Sequence, residues 1–102
     1  MPTMLSLRAA DFEAVYGWLE QHGDIRVEVW GLENDRRAAL LAYSDGPPDG
    51  FSWSNWVTTA YQDPSEVMPL FQDLEIALAS DAEAALLKGA FPERLADAAG
   101  AS

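Results

Sequence analysis

A chain of 102 residues has room for one domain, and a 49% hydrophobic share with 11% aromatic residues predicts a folded core. Seventeen acids against six bases give −11 at pH 7, with a pI near 4.1. That charge repels phosphate, so neither direct nucleic-acid binding nor adsorption to an anionic membrane is expected, whereas a basic protein partner is. There is no Cys, which rules out disulfides and fits a reducing compartment. The first dozen residues lack the pattern of a secretory signal and no stretch has the length of a bilayer span, so a soluble, cytoplasmic protein is expected.

In chain order, Phe12, Val15, Tyr16 and Leu19 fall at i, i+3, i+4 and i+7, and predict a helix over residues 9–22 stopped by Gly23. In "DIRVEVWGL", Ile25, Val27 and Val29 alternate with Arg26, Glu28 and Trp30, the pattern of a half-buried strand. "ENDRR" reads as a turn and "AALLAYS" as a second strand paired antiparallel with the first. "DGPPDG" is a loop. Phe51, Trp53 and Val57 then share one parity and Ser54, Trp56 and Thr58 the other, which predicts a third strand over residues 51–61 with a bulge at Asn55.

The remainder reads as helical. Asp63, Pro64 and Glu66 have the capping-box pattern, and Val67, Leu70, Phe71, Leu74, Ala77 and Leu78 an apolar helical stripe, with Pro69 in conflict. Ser80 and Glu83 form a second capping box ahead of Leu86 and Leu87, and Pro92 opens a short last helix before a tail that frays from about residue 98. The expected fold is α+β: an N-terminal helix, a three-stranded antiparallel meander, then two or three C-terminal helices packed on one face.

Chemistry is thinly represented. His22 is the single histidine, placed where a helix C-terminus would favour it, and no Ser lies in a nucleophile pattern. Asp45 and Asp49 lack the ligand spacing of a calcium loop, and no phosphate-binding loop is present. No catalytic residue, cofactor or metal is therefore expected.

The acids are more informative. Between Arg37 and Lys88 lie eight acids and no base. If Glu66 and Asp73 share a helix, seven residues place them on one face about 10 Å apart, with Glu75 beside them and Asp81 and Glu83 continuing the series. Such a row can stand in for a phosphate backbone in a basic groove. Ordinary solvated helix faces carry similar rows. Trp30 and Trp56 both fall on the polar parity of their strands, which places them together on the open face of the sheet, with Tyr43 as a further anchor.

In size and charge alone, the chain resembles the small acidic inhibitors of nucleic-acid-handling proteins: phage anti-CRISPR proteins and immunity proteins against nuclease toxins. The resemblance implies a non-catalytic inhibitor that occludes a basic effector, with nucleic-acid mimicry as one route. The expected contact residues are Trp30, Tyr43, Trp56, Asp63, Glu66, Asp73, Glu75, Asp81 and Glu83. A small-ligand module with an aromatic-lined pocket and a homodimer through the open sheet face are the alternatives.

Overall fold

The computed structural model describes residues 3–34, 36–61, 64–67 and 70–97. Its strands are β1 (Thr3–Arg8), β2 (Val27–Glu33), β3 (Arg36–Ser44), β4 (Phe51–Trp53), β5 (Asp73–Leu78) and the two-residue β6 (Ala96–Asp97). Its helices are α1 (Phe12–Gln21), α2 (Asn55–Ala60), α3 (Pro64–Val67) and α4 (Asp81–Ala90). The fold is α+β, but the sheet is not a three-stranded meander. All of its pairings are antiparallel and its order is β4-β3-β2-β5-β1-β6.

Pairing register sorts the side chains into two faces. One row runs Leu5–Ile76–Val29–Ala42–Trp53 across β1, β5, β2, β3 and β4, and a second runs Leu7–Leu74–Gly31–Ala39. Leu5, Leu7, Val29, Leu74 and Ile76 are buried there, beneath Phe12, Val15 and Leu19 of α1 and Ala84 and Leu87 of α4. The alternate rows hold Met4, Ser6, Arg8, Glu28, Trp30, Leu32, Leu40, Tyr43, Asp73, Glu75 and Ala77. Of these only Ala77 is buried, so the second face is open.

The antiparallel β2–β3 hairpin and α1 agree with the sequence reading. Ser80 caps α4 as expected, its Oγ accepting from Glu83 N at 3.3 Å, although Glu83 Oε2 is buried without a hydrogen bond.

Three expectations are overturned. The strand expected over residues 51–61 stops at Trp53, because Ser54 caps a helix, its Oγ accepting from Val57 N at 3.3 Å. Asn55 opens that helix and marks no bulge. The bulges lie in the β2–β3 ladder, at Val29/Trp30 and Gly31/Leu32. The stripe through Leu74, Ala77 and Leu78 is not helical. Asp73–Leu78 is β5, with Asp73 exposed and Leu74 and Ile76 buried in strand alternation. Pro69 cannot continue a helix interior, and β5 then pairs with β1 on one side and β2 on the other. Finally, Pro92 opens no helix through Ala99 within the described residues. The chain turns there and Ala96–Asp97 pairs with Leu5–Ser6. The expected frayed tail and the Asp63 cap lie outside the described residues.

Candidate functional site

The strands carry their polar ends to two poles. β1 begins where β5, β3 and β6 end and where β2 and β4 begin, so the loops after Gln21, Ser44 and Leu78 share one pole. There the Ser44 hydroxyl, buried, donates to the Gly23 carbonyl at 3.1 Å and accepts from Gly46 N at 3.3 Å. Gly50 N closes the loop on the Gly46 carbonyl at 3.1 Å. The two loops touch so closely that a Cβ on Gly23 would stand 3.1 Å from Gly50 Cα. Gly46 and Gly50 have φ of 82° and 70°, the region in which glycine is at ease.

These tied loops present Asp24, Asp45 and Asp49 to solvent. Glu20 in the last turn of α1, and Asp81 and Glu83 in the first turn of α4, lie at the same pole. Arg26 is the described base that accompanies them, its side chain running beside Gly46. Six carboxylates against one guanidinium leave a net of −5 at this pole. The loop residues are fixed by backbone and Ser44 hydrogen bonds, so their negative field is organised before any partner arrives.

The opposite pole gathers Arg8, Arg36, Arg37 and Arg94. Arg94 Nη1 donates to Asp11 Oδ1 at 2.9 Å. Arg37 Nε donates to Glu75 Oε1 at 2.6 Å and its guanidinium lies 5.0 Å from the Trp30 ring centroid, reaching Met4 Sδ at 3.4 Å. Trp30 Nε1 donates to Glu28 Oε1 at 3.2 Å. A shallow concavity at the β2–β3 turn is lined by Glu33, Asn34, Arg36, Arg37 and Ala38, and is polar.

The expected contact residues are therefore dispersed. Trp30, Tyr43, Asp73 and Glu75 share the open sheet face, with Trp30 and Glu75 directly paired. Asp73 and Glu75 belong to β5, so the helical row from Glu66 does not exist. Glu66 is exposed on α3, and Asp81 and Glu83 belong to the acidic pole. Asp63 lies outside the described residues. Trp56 is on α2 rather than the sheet, 43% exposed and edge-on to Tyr61 at 5.6 Å.

Phe51 and Trp53 face the core side. Trp53 stacks on Tyr16 at 5.2 Å and meets Phe12 edge-on, while Phe51 meets Tyr16 at 5.7 Å. Tyr16 donates to Glu20 Oε2 at 2.8 Å, and burial, followed by that hydrogen bond, raises its pKa above the ordinary 10.0. His22 Nδ1 donates to the Trp18 carbonyl at 2.8 Å and its ring stacks on Trp18 at 3.8 Å, a helix-end role. Among the described residues no group of three or more His, Asp or Glu side chains is arranged to hold a metal ion.

Sequence reasoning missed Asp24, Asp45 and Asp49 as one group and Arg37 as the cover of Trp30. No linear signal joins residues 24 and 45; the strand topology does. Comparison with known proteins returns no match: no family model, no curated protein and no solved structure is similar to this chain.

Proposed function

We propose that this is a non-catalytic binding protein that captures a basic, nucleic-acid-handling effector through its acidic pole. The observation that carries the reading is a concentration of negative charge. A net of −5 lies on tied loops and two helix ends, whereas at the other pole Arg8, Arg36, Arg37 and Arg94 are offset by Asp11, Glu33, Asp73 and Glu93. Preorganised charge of one sign raises the rate of encounter with an oppositely charged surface and orients the approach. Counter-defence against a nuclease effector and immunity to a nuclease toxin both need such capture. Mimicry by a regular helical row has lost its scaffold, so any mimicry would come from the carboxylates of the pole.

The test is charge reversal at two matched places. Asp24→Lys, Asp45→Lys and Asp49→Lys together alter the pole; Glu13→Lys, Glu33→Lys and Glu93→Lys make the same change in net charge on exposed sites elsewhere. Binding to a panel of purified basic nuclease effectors is read by fluorescence anisotropy across a salt series. The pole variant is expected to lose at least roughly tenfold in affinity, since several charge contacts each worth up to about 1 kcal/mol reverse sign. The control should lose much less. Equal losses from both variants, or affinity indifferent to salt, would overturn the reading.

A further inference from the structure

The acidic pole leaves unexplained a second surface, the open face of the sheet. It carries Met4, Trp30, Leu32, Leu40 and Tyr43, none of which packs into the core. The sheet ends on two short strands, β4 and β6, so its edges offer little ladder to another chain and its face is the larger available surface. We infer that this face is the interface of a homodimer, in which two copies pack sheet against sheet with their strands antiparallel.

Charge selects the second copy as occupant. The face bears Arg8 and Arg37 against Glu28, Asp73 and Glu75, a net of −1, on a chain of −11. Two copies therefore meet there with little local repulsion. Arg37 is already braced across the face, on Trp30 and Glu75, so the central charges need no rearrangement.

The rows select the orientation. The row nearest the acidic pole is Tyr43–Glu28–Ala77–Met4, the middle row Leu40–Trp30–Glu75–Ser6, and the row nearest the opposite pole Arg37–Leu32–Asp73–Arg8. A twofold axis along the middle row lays the first row over the third. Tyr43 then faces Arg37 of the second copy, with Glu28 beside the same guanidinium; Trp30 faces Trp30, and Glu75 faces Glu75, each carboxylate neutralised by Arg37 of its own chain. An axis along the strands would instead set Arg37 over the end bearing Arg8, like charge on like.

Four strands at ~4.8 Å spacing and six residues at ~3.3 Å rise give a footprint of roughly 20 by 20 Å. That is about 400 Å² per copy, below the standard size of specific interfaces, and predicts a weak dimer, with a dissociation constant of roughly tens to hundreds of micromolar, formed by folded monomers.

Sedimentation velocity over a concentration series tests this. The wild-type protein should approach twice the 11.1 kDa chain mass at tens to hundreds of micromolar. Trp30→Glu and Tyr43→Glu should each weaken association at least tenfold with little change in thermal melting. Leu86→Glu, on the exposed side of α4, should leave it unchanged. The chain has no Cys, so a single introduced thiol reports geometry cleanly. Ser6→Cys on the middle row should cross-link to itself with a short bis-maleimide. Met4→Cys and Arg8→Cys should each link poorly alone and efficiently when mixed. A wild-type monomer at several hundred micromolar overturns the dimer. A dimer broken by Leu86→Glu but not by Trp30→Glu moves it off this face. Linking of Arg8→Cys to Arg37→Cys in a mixed sample, without linking at Ser6→Cys, overturns the antiparallel arrangement.

Discussion

Gly31→Ala isolates one contact that holds the sheet's core face in register with the chain before β5. Gly31 is buried between Leu74 and Ala39, and the φ of this glycine is not positive, so alanine is conformationally permitted. A Cβ there would stand 2.8 Å from each of Cδ1, Cδ2 and Cε2 of Phe71, which places it beneath the ring face. Carbon atoms pack best at about 3.5–4.0 Å, so the ring must lift by roughly 1 Å. Overpacking of this kind costs roughly 1–3 kcal/mol. Replacing glycine within a strand returns about 0.5–1 kcal/mol by restricting the unfolded chain. The net expectation is a loss of about 1–2 kcal/mol, or a fall in Tm of roughly 5–15 °C for a domain this size. Urea and thermal denaturation measure it. The decisive arm is Phe71→Ala, which removes the ring. In that background Gly31→Ala should be neutral or stabilising by up to about 1 kcal/mol, so the two changes couple strongly. A stabilising Gly31→Ala in the wild-type chain, or the same cost in both backgrounds, would refute the packing argument.

Ser54→Ala removes the cap of α2 and should cost about 1 kcal/mol in urea denaturation, with Ser54→Asp retaining most of the stability. On α4, Leu87→Ala should cost about 2–5 kcal/mol because Leu87 is fully buried, whereas its neighbour Leu86, 61% exposed, should change stability by less than about 0.5 kcal/mol. Tyr16 has a folded pKa raised first by burial and then by the hydrogen bond to Glu20, so the fold favours the neutral phenol; the stability this carries is present below the ordinary 10.0 and is lost as pH rises through the higher folded value. Alkaline titrations of stability should therefore fall more steeply for the wild-type protein than for Tyr16→Phe.

Where a sequence pattern had one structural meaning, it was legible. The apolar spacing of Phe12, Val15 and Leu19 gave α1, the alternation around Val27 and Val29 gave β2, and Ser80 with Glu83 gave the start of α4. Where a pattern admits two periods, the residues alone do not decide between them. Leu74, Ala77 and Leu78 satisfy helical spacing, yet Asp73-Leu74-Glu75-Ile76 alternates as a strand does, and Ala77 blurs the alternation because it too is buried. In residues 51–61 the alternation of aromatics with serines concealed a cap. Thr58, a strand-favouring residue, is accommodated in α2 by donating from Oγ1 to the Ser54 and Asn55 carbonyls. β1 also alternates, Leu5 and Leu7 being buried, but six residues beside a terminus make a weak signal for a strand deep within the sheet. The acidic pole was legible only as a total. Arg37 was readable as a turn residue but not as the cover of Trp30, since Glu75, its ion-pair partner, is brought near by β5 pairing beside β2.

The acidic pole and the open face answer to salt in opposite directions. At 0.01 M ionic strength the screening length is about 30 Å, comparable with a molecule of 34 × 33 × 22 Å, so each copy feels the other's full −11. At 0.15 M it shortens to about 8 Å, and only groups near the contact matter. Homodimerisation through a face of net −1 should therefore strengthen from low to physiological salt, because whole-molecule repulsion fades before the short-range contacts of Trp30, Tyr43 and Arg37 do. Capture of a basic partner should weaken over the same range, because attraction to the pole is what screening removes. A surface serving both purposes would show one trend. Two trends of opposite sign, each abolished by its own variants, would show that the charged loops and the aromatic sheet face act as separate interfaces of one small domain.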